Sequence, residues 1–242
     1  MSTPSCDVSL ILPVFNESEC IRATLDELFG VLDPLGFDYE VLAVNDGSRD
    51  STPQILADIR RQRPRLRVIT LTPNSGQSAA FGAGFRYARG RAVVLMDADG
   101  QNDPADIPRL LEQLRDHDAC VGIRAKRKDT WAKRIGSRLA NRVRGSYLND
   151  GIIDTGCSLK AIRSDFVRDL PMNLKGMHRF IPALLQLLHD ARIAQIPVNH
   201  RARSAGVSKY TNFGRLRVTI ADLRAVRWMQ KRHRRFQVTE DA

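Results

Sequence analysis

Two carboxylates two residues apart, Asp97 and Asp99, close the apolar run Val93-Val94-Leu95-Met96 in the segment VVLMDADGQNDP, residues 93–104. The run reads as a buried strand, and residues two apart where a strand begins to turn aim their side chains at one point. Paired hard oxygen ligands at an open strand edge suit a divalent cation such as Mg²⁺ or Mn²⁺, which keeps waters and takes its other ligands from substrate phosphates. Gln101 offers a further, neutral oxygen. Asn102-Asp103-Pro104 reads as a turn that starts a helix at Ile107. An isolated Asp-x-Asp is more often simple punctuation of a strand end, so its meaning depends on the rest of the chain.

The elements that must position these groups alternate. Strand-like runs fall at Val8–Val14, Tyr39–Asn45, Leu66–Leu71, Ala92–Met96 and Ala119–Ile123. Helical patterns lie between them at Glu19–Leu32, Ser51–Arg63, Gln77–Arg89 and Ile107–Asp116. This order implies right-handed crossovers and a mostly parallel α/β sheet. Such sheets bind ligands outside the carboxyl ends of their strands. Asn16-Glu17, Asp46, Asn74 and Asp97/Asp99 all fall just after an expected strand. NDGSRDST, residues 45–52, reads as a tight turn and helix cap, or as a strand edge where Asp46 accepts a hydrogen bond from a nucleobase. NSGQSAAFGAGF, residues 74–85, reads as close packing, or as backbone approaching a nucleotide at a helix N-terminus. It is neither a P-loop nor a dinucleotide fingerprint.

The second half differs. Thr130–Leu148 is helical by period, Ile152–Ile162 reads as a strand pair or strand and loop, and Arg179–His189 as a helix. Ile193–His200 reads as a strand and Phe213–Met229 as a last amphipathic helix. The net charge of +11 is unevenly placed: residues 121–242 hold 26 Lys and Arg against 9 Asp and Glu, whereas residues 1–120 hold 12 against 18. An acidic half followed by a strongly basic one points to an anionic partner for the second. Nucleic acid is disfavoured, because the aromatics, 6% of residues, do not interleave with the basic positions. Val8–Phe15 lacks a preceding basic region and reads as a first strand rather than a signal peptide. No run nears the roughly 20 apolar residues that span a bilayer. The four scattered cysteines read as reduced thiols of a cytoplasmic protein. His178, His189 and His200 have no ligand spacing and read as structural or surface groups.

In order along the chain, LPVFNES, VNDGSRD, NSGQSAAFGAG and DADGQNDP resemble the inverting family 2 glycosyltransferases of the GT-A fold. GIRAKRKDTWAKRIGS, DTGCSLKAIR, GMHRFIPAL and HRARSAGVSKY resemble its dolichol-phosphate mannosyltransferase and undecaprenyl-phosphate glycosyltransferase branch. The resemblance covers residues 6–229. It implies a Rossmann-like GT-A domain over residues 1–230, with a nucleotide-sugar half (6–123), an acceptor half (124–230) and a basic, polar tail (231–242). Pro13, Phe15, Glu17, Asp46, Asn74, Gln77 and Asp97 would line the nucleotide-sugar site. Asp97, Asp99 and Gln101 would hold Mg²⁺ or Mn²⁺ on the diphosphate. Arg124, Arg134, Ser137 and Arg203 would meet the acceptor phosphate, with Ser208 and Lys209 in the adjoining loop. The implied activity is hexosyl or N-acetylhexosaminyl transfer from a UDP- or GDP-linked sugar to a polyprenyl phosphate. The chain departs from the family in having Asn45-Asp46-Gly47 where an Asp-Asp-Gly is frequent, and in lacking the transmembrane helices that many bacterial relatives append.

The chemistry divides two acceptor classes. A hydroxyl acceptor needs a carboxylate base, and Asp154 is the acid in position to serve. A polyprenyl phosphate is anionic near neutral pH and attacks unaided, so it needs a cationic cradle instead. Arg124, Lys126, Arg127, Lys128, Lys133 and Arg134 match that need, since Arg pairs bidentately with phosphate. The basic helices Thr130–Leu148 and Phe213–Met229 are expected to rest on an anionic membrane surface, each nearby cation adding about 1 kcal/mol. A separate integral-membrane subunit would assist the attachment.

Overall fold

The computed structural model describes residues 5–124, 144–201 and 212–234, with backbone alone for 212–219. Its strands are β1 Cys6–Val14, β2 Tyr39–Asn45, β3 Leu66–Thr70, β4 Gly90–Leu95, β5 Ala119–Arg124, β6 Lys160–Arg163 and β7 Ile193–Val198. Its longer helices are α1 Ile21–Leu32, α2 Thr52–Gln62, α3 Gln77–Tyr87, α4 Ile107–Glu112, α5 Ile181–His189 and α6 Asn212–Arg232. Among the described residues the strands form one sheet in the order β3-β2-β1-β4-β6-β5-β7. Every neighbouring pair is parallel except those made by β6, which runs antiparallel to both β4 and β5.

Burial on both faces explains the apolar strands. On β1, Val8, Leu10, Leu12 and Val14 face one core layer while Ile11 faces the other. The first layer is covered by α1, whose Ile21, Leu25, Leu28, Phe29 and Leu32 recur at helical spacing and are all buried. Each such side chain contributes about 1.5–3 kcal/mol. The second layer is covered by α3, α5 and α6 through Phe81, Phe85, Leu184 and Val226. Helix α3 sits so close to β1 that a Cβ on Gly84 would stand 2.3 Å from Ile11 Cγ2. The small residues of NSGQSAAFGAGF therefore let helix and sheet touch. Pro13 is tolerated in a central strand because β4 pairs with β1 only as far as Ile11↔Leu95. The register turns the missing Pro13 donor toward β4, beyond that last pair.

The second half departs from the periodic reading in identifiable ways. The helix expected at Arg179–His189 begins as a 3₁₀ turn, Met177–Phe180, and becomes α-helical at Ile181. Pro182 stands in the first turn, where its missing N–H is harmless, and cannot be accommodated deeper in an α-helix. The helix expected to Asp116 ends at Glu112 and continues as a 3₁₀ turn, Gln113–Arg115. Ile152–Ile162 is a turn followed by the single short strand β6. The expected helix Thr130–Leu148 lies outside the described residues except for its last turn, 144–148.

Registers align the strand exits. Val14 is level with Asn45, and β4 ends three residues earlier, opposite Ile11. The antiparallel β6 begins at that same edge, where Lys160 pairs with Leu95 on β4 and Val121 on β5.

Candidate active site

The carboxyl edge of the sheet gathers the predicted groups into one locus. After β1, Asn16 takes a left-handed conformation, φ 52°, and its N–H donates to Ser48 Oγ at 3.0 Å. Arg49 N–H returns a bond to Asn16 Oδ1 at 2.7 Å, and Glu17 N–H donates to Thr52 Oγ1 at 2.9 Å. The β1 and β2 exits are thereby laced together, with Pro13, Phe15 and Glu17 half-buried at the rim. Asp50 joins the lacing: burial, which opposes its ionisation, is outweighed by hydrogen bonds from Thr52 and Ser18, holding its carboxyl at about 2.

Asp46 is 4% exposed, and its carboxylate accepts three bonds from the loop before α3. Asn74 Nδ2 donates at 2.8 Å, Ser75 N–H at 2.7 Å and Gly76 N–H at 2.7 Å. The residue expected to read a nucleobase thus clamps the glycine-rich loop, a role the sequence did not reveal.

At the β4 exit the chain alternates. Ala98 is buried, its carbonyl accepting from Cys20 Sγ at 3.5 Å and Thr24 Oγ1 at 3.4 Å on the α1 side. Asp97, just before Ala98, turns the other way, toward the start of α3. Gln77, at the start of α3, donates Nε2 to Asp97 Oδ1 at 2.8 Å. Asn102 Oδ1 accepts from Asp97 N–H at 3.2 Å and from Ser158 Oγ at 2.9 Å, tying this exit to the entrance of β6. Gln101 donates Nε2 to the Arg201 carbonyl at 3.3 Å, leaving Oε1 as its amide ligand atom. Burial first, and the neighbouring Asp99 charge second, push the Asp97 carboxyl upward. A carboxylate made uncomfortable by burial and by a neighbouring carboxylate fits a site completed by a divalent cation. Among the described residues no three His, Cys, Asp or Glu side chains are grouped to hold one. The donor set is accordingly that of a cation completed by water and phosphate.

At the β5 exit, Arg124 and Asp154 form a bidentate pair, Nε to Oδ2 at 2.8 Å and Nη2 to Oδ1 at 2.7 Å. Their side chains are 11% and 9% exposed. Arg124 N–H donates to Oδ2 and Gly156 N–H to Oδ1, each at 3.2 Å. A Cβ on Gly156 would crowd Arg124 Nη2, so a side chain there would push the guanidinium out of this position. Four bonds occupy the roughly four acceptor positions of a carboxylate. Asp154 is a holder of Arg124 in this structure, and service as a base would require that pair to break. The remaining acceptor candidates, Arg134, Ser137, Arg203, Ser208 and Lys209, lie outside the described residues, as do Lys126, Arg127, Lys128 and Lys133.

Lys160 escaped sequence reasoning, whereas His178, expected to be a structural or surface group, is structural. Lys160 is buried at 3% exposure on β6 and its ammonium donates to the Cys157 carbonyl. A lysine inside the apolar pattern Cys157-Ser158-Leu159-Lys160-Ala161-Ile162 was the signal available. His178 bonds Ser78 Oγ through Nδ1 at 2.8 Å. Burial, aided by the Arg179 and Lys160 charges, brings its imidazole down to about 3, so it is neutral.

A family model for glycosyl transferase family 2 matches residues 9–170. The chain belongs to this family. Two relatives carry names from the branch that the motifs resemble. The dodecaprenyl-phosphate galacturonate synthase of Rhizobium johnstonii is 37% identical over 235 residues, covering 94% of this chain and 68% of the relative. The undecaprenyl-phosphate 4-deoxy-4-formamido-L-arabinose transferase of Edwardsiella ictaluri is 37% identical over 206 residues, covering 84% of this chain and 62% of the relative. This family 2 glycosyltransferase thus spans about two-thirds of the length of the curated relatives it matches.

The fold of this glycosyltransferase is GT-A, as its solved neighbours show. A Pyrobaculum calidifontis mannosyltransferase in complex with GDP-Man and Mn²⁺ superposes with a TM-score of 0.67 at 20% identity, over 95% of this chain and 65% of that one. Glucosyl-3-phosphoglycerate synthase from Mycobacterium tuberculosis, in complex with Mn²⁺, UDP and glucosyl-3-phosphoglycerate, gives 0.68 at 19% identity, over 93% and 80%.

Proposed function

We propose that this chain transfers a sugar from a UDP- or GDP-linked donor to a polyprenyl phosphate with inversion at the anomeric carbon. The observation that carries the reading is the Arg124–Asp154 pair. The acid that a hydroxyl acceptor would need as its base is hydrogen-bonded at every acceptor position. What it holds in place is a guanidinium suited to an anionic nucleophile. The two relatives named for polyprenyl-phosphate sugar transfer support the same class.

Residues 6–123 would hold the donor and residues 124–230 the acceptor. Asp97, Asp99 and Gln101 would hold Mg²⁺ or Mn²⁺, which when bound stabilises charge developing on the leaving nucleoside diphosphate. Gln77 fixes the Asp97 rotamer, and the Asp46 clamp sets the backbone of residues 74–76 beside it. Arg124, joined by Arg134 and Arg203, would orient the acceptor phosphate so that one oxygen attacks the anomeric carbon as the diphosphate departs. No proton need be removed from that nucleophile.

Attachment to an anionic cytoplasmic membrane surface belongs to the same proposal. Among the described residues no helix is long and apolar enough to cross a membrane. Helix α6 buries Val226 against the core, yet exposes Trp228 at 62% and Ile220 at 42%, flanked by Arg224, Arg227, Lys231 and Arg232. An aromatic among cations suits the headgroup region.

The test is direct. Purified protein with Mn²⁺, a short-chain polyprenyl phosphate and a panel of UDP- and GDP-linked hexoses, N-acetylhexosamines and uronic acids should yield one glycosyl polyprenyl phosphate by mass spectrometry. Product on a sugar hydroxyl, with none on the lipid phosphate, would replace this reading with the hydroxyl one.

A further inference from the structure

We propose that Lys160 is a positioning residue of this site, a buried cation that sets the charge balance between the carboxylates of the metal pair and the Asp154–Arg124 pair. Lysine is almost never buried without a charged partner. Yet the one hydrogen bond Lys160 makes among the described residues is to a neutral acceptor, the Cys157 carbonyl. Its offsetting charges are elsewhere. Pairing with Leu95 in antiparallel register puts its side chain on the sheet face that Asp97 continues two residues later. Asp97 and Asp154 are the carboxylates whose charge acts on it, and burial pushes its ammonium below the usual lysine range.

The arithmetic of charge gives this placement a purpose. Asp97, Asp99 and Asp154 carry three negative charges and Arg124 one positive charge. With Lys160 the cluster stands at −1, and without it at −2. A cluster at −2 attracts a divalent cation more strongly, but repels the two anions that must meet here, a nucleoside diphosphate and a lipid phosphate. Lys160 trades metal affinity for anion tolerance. The antiparallel entry of β6 between β4 and β5 puts this one cation beside both halves of the site. The inference rests on the proposed lipid-phosphate acceptor only for its acceptor arm; the metal arm stands without any acceptor.

K160Q and K160R test it. Glutamine keeps a donor for the Cys157 carbonyl and removes only the charge; arginine keeps the charge. Mn²⁺ is titrated against each folded variant without nucleotide, following melting temperature, and KM for a short-chain polyprenyl phosphate is measured at saturating donor. In K160Q the Mn²⁺ midpoint should fall about tenfold, the effect of removing one unit charge at the effective dielectric of a partly buried site. KM for the acceptor should rise about tenfold, and K160R should stay within about threefold of the parent in both. Opposite signs in the two readouts are the signature that a purely structural lysine would not produce. A K160Q midpoint within twofold of the parent, a loss in both readouts together, or a K160Q chain that fails to fold would assign Lys160 to the core and overturn the proposal. If the Mn²⁺ midpoint shifts as expected while the parent has no activity on lipid phosphate, the acceptor reading fails and the placement of Lys160 stands.

Discussion

His178 and Ser78, a hundred residues apart, are bonded to each other twice. Ser78 Oγ meets His178 Nδ1 at 2.8 Å and accepts His178 N–H at 3.2 Å. Ser78 lies in the first turn of α3, next to Gln77, which holds Asp97. The bond therefore anchors the segment before α5 onto the donor side of the site.

That bond makes acid stability a test of the neutral imidazole. The folded value, about 3, lies below the usual 6.5, so below pH 6.5 the unfolded chain binds the proton first. Stability is fully retained above pH 6.5 and lost progressively as pH falls toward 3. Allowing for the partial exposure of the residue, the loss between pH 6.5 and 4.5 should be about 1–2 kcal/mol. H178Q should lack this component, and parallel pH–stability curves for parent and H178Q from urea melts would contradict it.

The metal pair is checked by ligand stabilisation. Mn²⁺ at a hundredfold excess over Kd adds about 2.7 kcal/mol, or about 5–10 °C of melting temperature for a chain of this size. D97N and D99N should lose that increment and nearly all transfer. Both should remain folded, since these residues lie past the end of β4 and outside the apolar core. A full Mn²⁺ shift in either variant would remove it from the metal site.

Acceptor recognition should fall on the arginines. R124A, R134A and R203A should each raise KM for the lipid phosphate about 10- to 100-fold, the worth of a charge-assisted hydrogen bond. KM for the nucleotide sugar should move by less than about threefold. Equal losses on both substrates in all three variants would argue against a dedicated phosphate cradle.

Asp154 separates the two acceptor classes. Breaking its nearly buried pair with Arg124 should destabilise D154N by about 3 kcal/mol. A measurable rate should survive, with the pH–rate profile unchanged in shape. An essentially dead D154N that also loses the acidic limb of the profile is the signature of a base, and would favour a hydroxyl acceptor.

Membrane attachment should be electrostatic with an aromatic contribution. The protein should sediment with anionic vesicles at 50 mM salt and be released at 500 mM, where screening is nearly complete over a few ångströms. W228A should weaken binding at both salts, whereas neutral vesicles should retain little. Salt-independent binding, or none, would separate α6 from the membrane.

Local chemistry was enough to read the α/β order, the strand exits and the Asp97/Asp99 pair. Strand and helix periods are properties of ten or so consecutive residues, and a polar residue after an apolar run marks an exit wherever the strand goes in space. What the side chains do once they meet was decided elsewhere. β6 is inserted antiparallel between β4 and β5, and that long-range pairing alone brings Lys160 to the edge and Asp154 onto Arg124. The same holds for Asp46, legible as a strand-end acid but engaged by Asn74, Ser75 and Gly76 only because β2 and β3 pair in register. A carboxylate reads the same in sequence whether its oxygens are open or filled. Only the tertiary hydrogen bonds distinguish a metal ligand, a loop clamp and the holder of an arginine.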